Sequence, residues 1–276
     1  MEIIINDLSL SGQFKNKDEF LDNLEKLLPI FSLIDRLNFS ILKNHAFFNS
    51  KITAREQLTQ IIYSKDNKVR KLKSHLLKLA NNPPYWNDSQ IHSCKNDTYT
   101  FNLNSICDTS LAEASQRDKF ILSFKHKKYL GEELVVQKNN NCITLSNISN
   151  EIMLLESLYH SKFICSQKYC LHKFSKNNLD FSKIDDNYGF NILDNTQIKE
   201  CINTFNTFSV MSWVDICKSD GLKYKPYKGN LFQIKYPNQN IFKFRITQKY
   251  RCFGYRKNHI FYVLRFEIDH KISDYG

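Results

Sequence analysis

The chain has 276 residues, with 39 lysines and arginines against 28 acidic residues, a formal net charge of +11 and 42% hydrophobic residues. These values exclude a chain that is disordered throughout. No apolar run reaches the ~18 residues needed to cross a bilayer, and the N-terminus lacks the pattern of a secretory signal. Seven glycines in total argue against glycine-rich phosphate loops. We therefore expect a cytoplasmic protein with no membrane contact and with its eight cysteines reduced.

Residues 1–172 predict an α+β domain that is mostly helical, with a small sheet. Residues 2–5 indicate a short buried strand, and Asn16 is a typical N-cap before apolar residues at helical spacing. A further helix is indicated after Thr53, and another begins after Asp66 and ends before two consecutive prolines. Further strands are indicated at 120–124, 134–136 and 142–145.

Residues 173–195 are rich in Asn, Asp and Ser, which predicts a linker or a long loop. Residues 196–220 then indicate helices. Three aromatic, alternating runs follow, with spacers of hairpin length, at 242–246, 250–255 and 260–266. The C-terminal domain, residues 196–276, is therefore predicted to pack helices on an antiparallel sheet of three or more strands. The expected fold class of the whole chain is α+β.

The positive charge is concentrated near the C-terminus. From Gly221 onward there are twelve basic and three acidic residues, a net +9, whereas the first 220 residues carry +2. Such asymmetry points to a polyanionic partner, RNA or DNA, for the C-terminal domain. A solvated basic face on a lysine-rich protein remains the alternative.

Part of this domain resembles a known family. The segments FKFRI at 242–246, YRCFGY at 250–255 and FYVLRFEIDHK at 261–271 resemble the strands of the RelE/YoeB/HigB-like toxin fold. Members of that family are small RNases that cut mRNA, usually on the ribosome, and are blocked by an antitoxin. This chain departs from the family in its long N-terminal region and in the residues that follow 271. The central segments NPPYWND at 82–88 and LAEA at 111–114 look similar to bacterial proteins associated with phage defence.

The resemblance implies a metal-independent cleavage of RNA. In that reaction the 2′-hydroxyl attacks the phosphate, so a base, cations for the phosphorane and an acid for the leaving oxygen are needed. The expected catalytic residues are Arg245 and Arg251 as phosphate clamps and His270 and Lys271 for proton transfer. The expected nucleic-acid-binding residues are Lys243, Lys249, Tyr250, Tyr255, Arg256, Lys257 and Arg265. No cofactor and no metal is expected.

Other groups of residues give weaker signals. Cys165, Cys170 and His172 have poor spacing for zinc, and buried thiols are the preferred interpretation. His92 and Cys94 are a minor candidate for nucleophilic catalysis in a polar loop. Glu113 and Arg117, four residues apart, are expected to form an ion pair on a helix surface.

The sequence thus predicts an intracellular bacterial effector directed at nucleic acid. Its most specific version is a metal-independent, toxin-type endoribonuclease in defence, with an antitoxin or defence-complex protein as partner. The alternative is a noncatalytic subunit of a phage-defence complex that binds nucleic acid or protein.

Overall fold

A computed structural model describes residues 1–273 of the chain, and within them every side chain except those of residues 79–81. The fold mixes helices and strands, which confirms the α+β class. The chain forms two compact units, Met1–Ser157 and Leu158–Gly276, named here unit 1 and unit 2. None of the described helices is long and apolar enough to cross a bilayer.

Residues 1–160 form helices and strands that follow one another in no regular order. They are β1 (Glu2–Ile5), β2 (Ser11–Phe14), α1 (Lys17–Arg36), β3 (Ser40–Leu42), β4 (Lys51–Thr53), α2 (Leu58–Ile62), α3 (Asn67–Asn81), β5 (Tyr99–Phe101), β6 (Asn104–Ser105), α4 (Ser110–Gln116), β7 (Phe120–Leu122), β8 (Glu133–Lys138), β9 (Asn141–Ile148) and α5 (Glu151–His160). Short 3-10 turns lie at Asp7–Ser9, His45–Asn49 and Trp86–Ser89.

Unit 1 is built on a seven-stranded sheet in the order β3-β1-β7-β9-β8-β5-β6. Strands β3, β1, β7 and β9 run parallel, and the remaining pairs are antiparallel. Strands β2 and β4 form a separate parallel pair. The main sheet is larger than the small sheet expected from the sequence, because strands of two or three residues, such as β3 and β6, extend it. Strands this short are too brief to show an alternating pattern.

The remaining elements belong to unit 2. They are α6 (Ser166–Lys173), β10 (Leu179–Asp180), a 3-10 turn (Phe190–Ile192), α7 (Asn195–Val210), α8 (Trp213–Lys218), β11 (Lys225–Pro226), β12 (Ile241–Arg245), β13 (Arg251–Lys257) and β14 (Ile260–Glu267). They form a five-stranded sheet in the order β10-β14-β13-β12-β11, antiparallel except for β10 beside β14.

Both faces of the unit 2 sheet are covered. On one face, Phe208 of α7 packs 4.7 Å from the ring of Phe244 in β12. On the other face, the ring of Phe232, in the segment 227–236, packs 5.7 Å from the ring of Phe253 in β13. Within residues 1–273, the sheet therefore offers no open aromatic platform of the kind that stacks on bases.

Residues 173–195, expected as a linker or long loop, are integrated into unit 2. Strand β10 pairs with β14, the backbone N–H of Asp185 donates to the carbonyl of Leu264, and that of Phe266 donates to the carbonyl of Tyr188. The division of the chain falls before Leu158 rather than near residue 172. These contacts are backbone hydrogen bonds, which a polar composition does not reveal.

Candidate functional site

Two predicted clamp residues, Arg245 and Arg251, are direct cross-strand neighbours. They face each other in the antiparallel pair β12–β13, and Glu267 of β14 lies opposite Arg251 on the other side. Directly opposed residues of an antiparallel pair project on the same face of the sheet. The hairpin pattern in the sequence predicted this proximity.

The guanidinium of Arg251 is engaged with the turn that joins β12 to β13. Its Nη1 lies 2.9 to 3.1 Å from the carbonyl oxygens of Thr247, Gln248 and Tyr250. The side chain is half-buried. These hydrogen bonds stabilise the turn, so Arg251 has a structural role in addition to any contact with phosphate.

Arg245 is in a different situation. Its Nε is buried and has no hydrogen-bond partner among residues 1–273, while its backbone N–H donates to the carbonyl of Leu222 at 2.6 Å. A guanidinium with an unused, desolvated donor is costly unless an acceptor reaches it. The oxygens of an anion are acceptors that fit the planar fork of a guanidinium.

Lys243 and Tyr255, expected to contact nucleic acid, are buried. Lys243 is 2% exposed, and its ammonium donates to the carbonyl of Ser273 at 2.6 Å and lies 5.6 Å from the ring centroid of Tyr227. Tyr255 is 8% exposed and stacks on Tyr262. The expectation of surface contacts is corrected at both positions, because the segment 227–236 covers the face to which alternation assigned them.

The two candidates for proton transfer differ in exposure. His270 is half-buried, has a positive φ of 62°, and its Nδ1 lies 3.1 Å from the hydroxyl of Ser273. Lys271 is exposed and pairs with Asp269 at 2.8 Å, and this hydrogen bond raises the pKa of Lys271. A lysine whose pKa is raised is a poor base, so His270 is the better candidate of the two.

Arg265 and Tyr250 are half-buried in unit 2. The guanidinium of Arg265 lies 3.8 Å from the ring centroid of Tyr188, its Nε is buried without a partner among residues 1–273, and burial lowers its pKa. The hydroxyl of Tyr250 accepts from Nε2 of Gln197 at 3.1 Å. Both residues therefore contact the protein interior more than solvent.

The remaining predicted binding residues lie on the surface. Lys249, Arg256 and Lys257 are exposed and form no ion pair within the described part of the chain. Arg256 lies with its guanidinium carbon 3.9 Å from the ring centroid of Trp213 in α8. Stacking of this kind holds an arginine in place and leaves its charge available.

Unit 1 contains a buried ionic cluster around Glu113 in α4. Glu113 is fully buried, accepts from Nε of Arg117 at 2.6 Å, and lies 2.5 Å from Nδ1 of His92. Burial raises the pKa of Glu113, but the hydrogen bonds from His92, Arg117 and the backbone of Ile91 outweigh it and leave that pKa below its ordinary value. The expected surface ion pair is therefore wrong in its location: it lies in the interior.

The cysteines also differ from the sequence expectation. Cys94 and Cys107 form a disulfide, with their Cα atoms 5.9 Å apart, so Cys94 is not a free nucleophile and not every cysteine is reduced. In unit 2, Cys170 and Cys201 are buried thiols, and burial raises the pKa of Cys201 to about 12. The group of three potential metal ligands found among the described residues is His92, Cys94 and Asp108, which does not include Cys165, Cys170 or His172.

A cavity of about 560 Å³ lies in unit 1 between α1, α3 and residues 39–43. Lys43 at its floor is 3% exposed, donates to the carbonyl of Asn82, and lies 4.9 Å from the ring centroid of Tyr85. No carboxylate pairs with it within residues 1–273. Burial lowers the pKa of Lys43 to about 8. No pattern in the sequence indicates this buried amine.

Comparisons of the chain with protein-family models, curated proteins and solved structures return no match.

Proposed function

We propose that unit 2 binds nucleic acid and makes the protein an effector directed at RNA or DNA. Eight of the twelve basic residues after Gly221 are exposed: Lys223, Lys225, Lys228, Lys235, Lys249, Arg256, Lys257 and Lys271. Only Lys235 and Lys271 of these pair with a carboxylate among the described residues. The observation that carries the proposal is this set of six exposed cations without an internal counter-charge.

The arrangement favours contacts with phosphates over stacking on bases. Lys225 lies on the edge strand β11, and Lys223 and Lys228 flank that strand in the sequence. Lys249 lies in the turn between β12 and β13, and Arg256 and Lys257 end β13, whereas both faces of the sheet are covered. Phosphate contacts position a nucleic acid and carry no sequence information directly. Affinity is therefore expected to depend steeply on salt and little on sequence.

The experiment is a binding titration with fluorescent single-stranded RNA, single-stranded DNA and duplex DNA between 50 and 300 mM salt. The test variant is Lys249→Gln/Arg256→Gln/Lys257→Gln. The control is Lys26→Gln/Lys71→Gln/Lys73→Gln, which removes the same charge from exposed positions of unit 1. We expect the test variant to bind at least tenfold more weakly, with a salt slope lower by roughly 2 to 3. Equal affinities for the two variants would refute the proposal.

Cleavage of RNA is a second candidate function, favoured by one observation. Arg245 and Arg251 are cross-strand neighbours, and Nε of Arg245 is buried without a partner among the described residues. A phosphorane placed there accepts from this guanidinium, and His270, three residues after the end of β14, is the candidate for the proton transfers.

The cleavage assay uses end-labelled RNA in the presence of a chelator, with 2′,3′-cyclic phosphate as the diagnostic product. We expect Arg245→Lys to cut poorly because lysine lacks the planar fork, and His270→Ala to lose roughly 10²-fold or more in rate. RNA that is bound and left uncut would favour the noncatalytic alternative, a subunit of a defence complex. Growth arrest on expression of the chain alone distinguishes the two, because a catalytic toxin acts without its partners.

A further inference from the structure

Three side chains with metal-binding atoms, His92, Cys94 and Asp108, meet at the base of the β5–β6 hairpin in unit 1. The carboxylate Oδ1 of Asp108 lies 3.6 Å from Nε2 of His92 and 3.7 Å from Sγ of Cys94. These three ligand atoms all lie within 4.8 Å of one another, and Cys107 is bonded to Cys94. One nitrogen, one oxygen and one sulfur thus converge on one small volume, and the sulfur of Cys107 is bonded to that of Cys94.

The donor set and its spacing fit tetrahedral zinc. Zinc binds thiolate at ~2.3 Å, imidazole nitrogen at ~2.0–2.1 Å and carboxylate oxygen at ~2.0–2.2 Å. Around one tetrahedral ion, such bonds place the ligand atoms roughly 3.3 to 3.8 Å apart. The separations from Asp108 to His92 and to Cys94 lie within this range.

The surroundings of His92 also suit a metal ligand. Its side chain is fully buried, and its Nδ1 lies 2.5 Å from the carboxylate of Glu113. Glu113 is fixed in turn by the backbone N–H groups of Ile91 and His92 and by Arg117. A carboxylate on Nδ1 keeps the proton on that nitrogen, so Nε2 carries the lone pair. The amide nitrogen of Gln90 lies 3.3 Å from this Nε2 and Asp108 Oδ1 lies 3.6 Å from it, so a metal ion would take the place of the Gln90 hydrogen bond.

We infer that the reduced chain binds one Zn²⁺ through His92 Nε2, Cys94 Sγ, Cys107 Sγ and a carboxylate oxygen of Asp108. This ion and the disulfide are alternative cross-links of the same hairpin. Both hold together the two ends of the segment 94–107, which contains β5 and β6. The zinc form is the one expected in a compartment that keeps thiols reduced.

The exchange between the two forms balances with a small thiol as reductant. Two thiol molecules donate two electrons and two protons to the Cys94–Cys107 bond, giving two cysteine thiols and one disulfide of the reductant. Zn²⁺ then displaces one proton from each thiol, so metal binding releases two protons and transfers no electrons.

The test uses the full-length protein, reduced with excess thiol, separated from it without oxygen, and dialysed against Zn²⁺. Metal analysis is expected to find one zinc per chain, and prior oxidation of the protein is expected to abolish it. Substitution with Co²⁺ is expected to produce the thiolate-to-cobalt charge-transfer band and the visible bands of a tetrahedral site. Zinc is expected to raise the melting temperature of the reduced chain, since the ion binds the folded state.

Two variants and one control locate the metal. Cys94→Ser/Cys107→Ser is expected to lose zinc, and Asp108→Asn to bind it at least tenfold more weakly. Asp108 is exposed and has a positive φ of 58°, which asparagine tolerates, so this variant keeps the fold. The control, Cys142→Ser/Cys217→Ser, removes two exposed free thiols and is expected to keep the zinc.

Three results would overturn the inference: a reduced wild-type chain that takes up no zinc, a cobalt spectrum without a thiolate band, or a zinc content that Cys94→Ser/Cys107→Ser leaves unchanged. The outcome is independent of the proposed function, because the four ligands lie in unit 1 and the exposed cations lie in unit 2. Asp108→Asn is accordingly expected to bind nucleic acid as the wild type does.

Discussion

The two units give their buried positive side chains different partners. In unit 1, Arg117 is paired with the carboxylate of Glu113 inside the fold. In unit 2, Arg251 donates to the carbonyls of a turn, and Arg265 lies over the ring of Tyr188. A carboxylate neutralises a cation, whereas a carbonyl or an aromatic face stabilises it and leaves its charge in place.

This difference separates charge that maintains structure from charge that is available to a ligand. In unit 1 the carboxylate of Glu113 compensates the buried guanidinium of Arg117, so little of that charge acts outside the fold. Unit 2 retains its positive field on the surface and in part of its interior, which is what attraction of a polyanion requires. Substitutions in either unit test this contrast.

The largest effect is expected from Glu113→Gln, which preserves shape and removes the charge at the centre of the buried cluster in unit 1. Arg117 and His92 then lose a charged partner in a site where water does not replace it. Removing one member of a buried ion pair typically costs ~3–5 kcal/mol. Urea unfolding measures the loss, with Glu133→Gln, an exposed position of β8, as the control. A cost below about 1 kcal/mol would contradict the structural role assigned to this cluster.

Lys43 shows that the pattern of unit 2 also occurs in unit 1, since its partners are a carbonyl and a ring. Its pKa is lowered to about 8 by burial. Between about pH 8 and 10.5 the unfolded chain holds a proton on this amine that the folded chain has released, so stability rises with pH. The gain over that window is about 3 kcal/mol.

Lys43→Met removes this gain and, below pH 8, stabilises the fold, because it eliminates a buried charge with no counter-charge. The measurement is the difference between the wild-type and variant unfolding free energies across pH 7 to 10.5, which cancels the titration of other groups. Lys71→Met, at an exposed position of α3, is the control and is expected to show no such difference. Parallel profiles for the wild type and Lys43→Met would show that the amine titrates normally.

Much of the fold follows from local signals in the sequence. Asn16 caps α1 by accepting from the backbone of Glu19, and Asp66 caps α3, as their positions predicted. The three aromatic runs correspond to β12, β13 and β14. The strand β10 was not predicted, because two residues are too few to show an alternating pattern. It is held in place by parallel pairing with β14, about eighty positions later in the chain.

The candidate site in unit 2 was less predictable than the fold. The alternating pattern of a strand assigns each residue to a face of the sheet, but it does not say whether that face is exposed to solvent. Alternation along β12 places Lys243 on the same face of the sheet as Arg245, but Tyr227 and Phe232, in a segment without regular structure, cover that face. The contact between His92 and Glu113 joins positions 21 residues apart in the chain. Only the tertiary structure reveals such a pair.

A smaller effect is expected from Arg251→Met in unit 2. The resemblance implied a role for Arg251 in binding phosphate, whereas its bonds to the turn carbonyls indicate a role in stability as well. Hydrogen bonds from a charged donor contribute ~1.5–3 kcal/mol at most, and solvent reaches part of this turn, so we expect a loss of about 1–2 kcal/mol. Arg251→Lys, which reaches fewer of the carbonyls, is expected to lose about half as much. A melting temperature that is unchanged in both variants would show that Arg251 does not contribute to stability.

The smallest effect on stability, and the most direct test of the contrast, is expected from Arg256→Gln. Stacking of Arg256 on Trp213 is exposed, so its loss is expected to cost below about 1 kcal/mol. Nucleic-acid affinity is nevertheless expected to fall for every sequence tested, with the salt slope reduced by about 0.7–0.9 for one lost phosphate contact. The matched variant Arg70→Gln removes one exposed arginine from α3 in unit 1. It is expected to leave both the affinity and the slope nearly unchanged, because a cation that contacts no phosphate releases no counterion. Equal slopes for the two variants would mean that only total charge matters, and the surface of unit 2 would then have no special role.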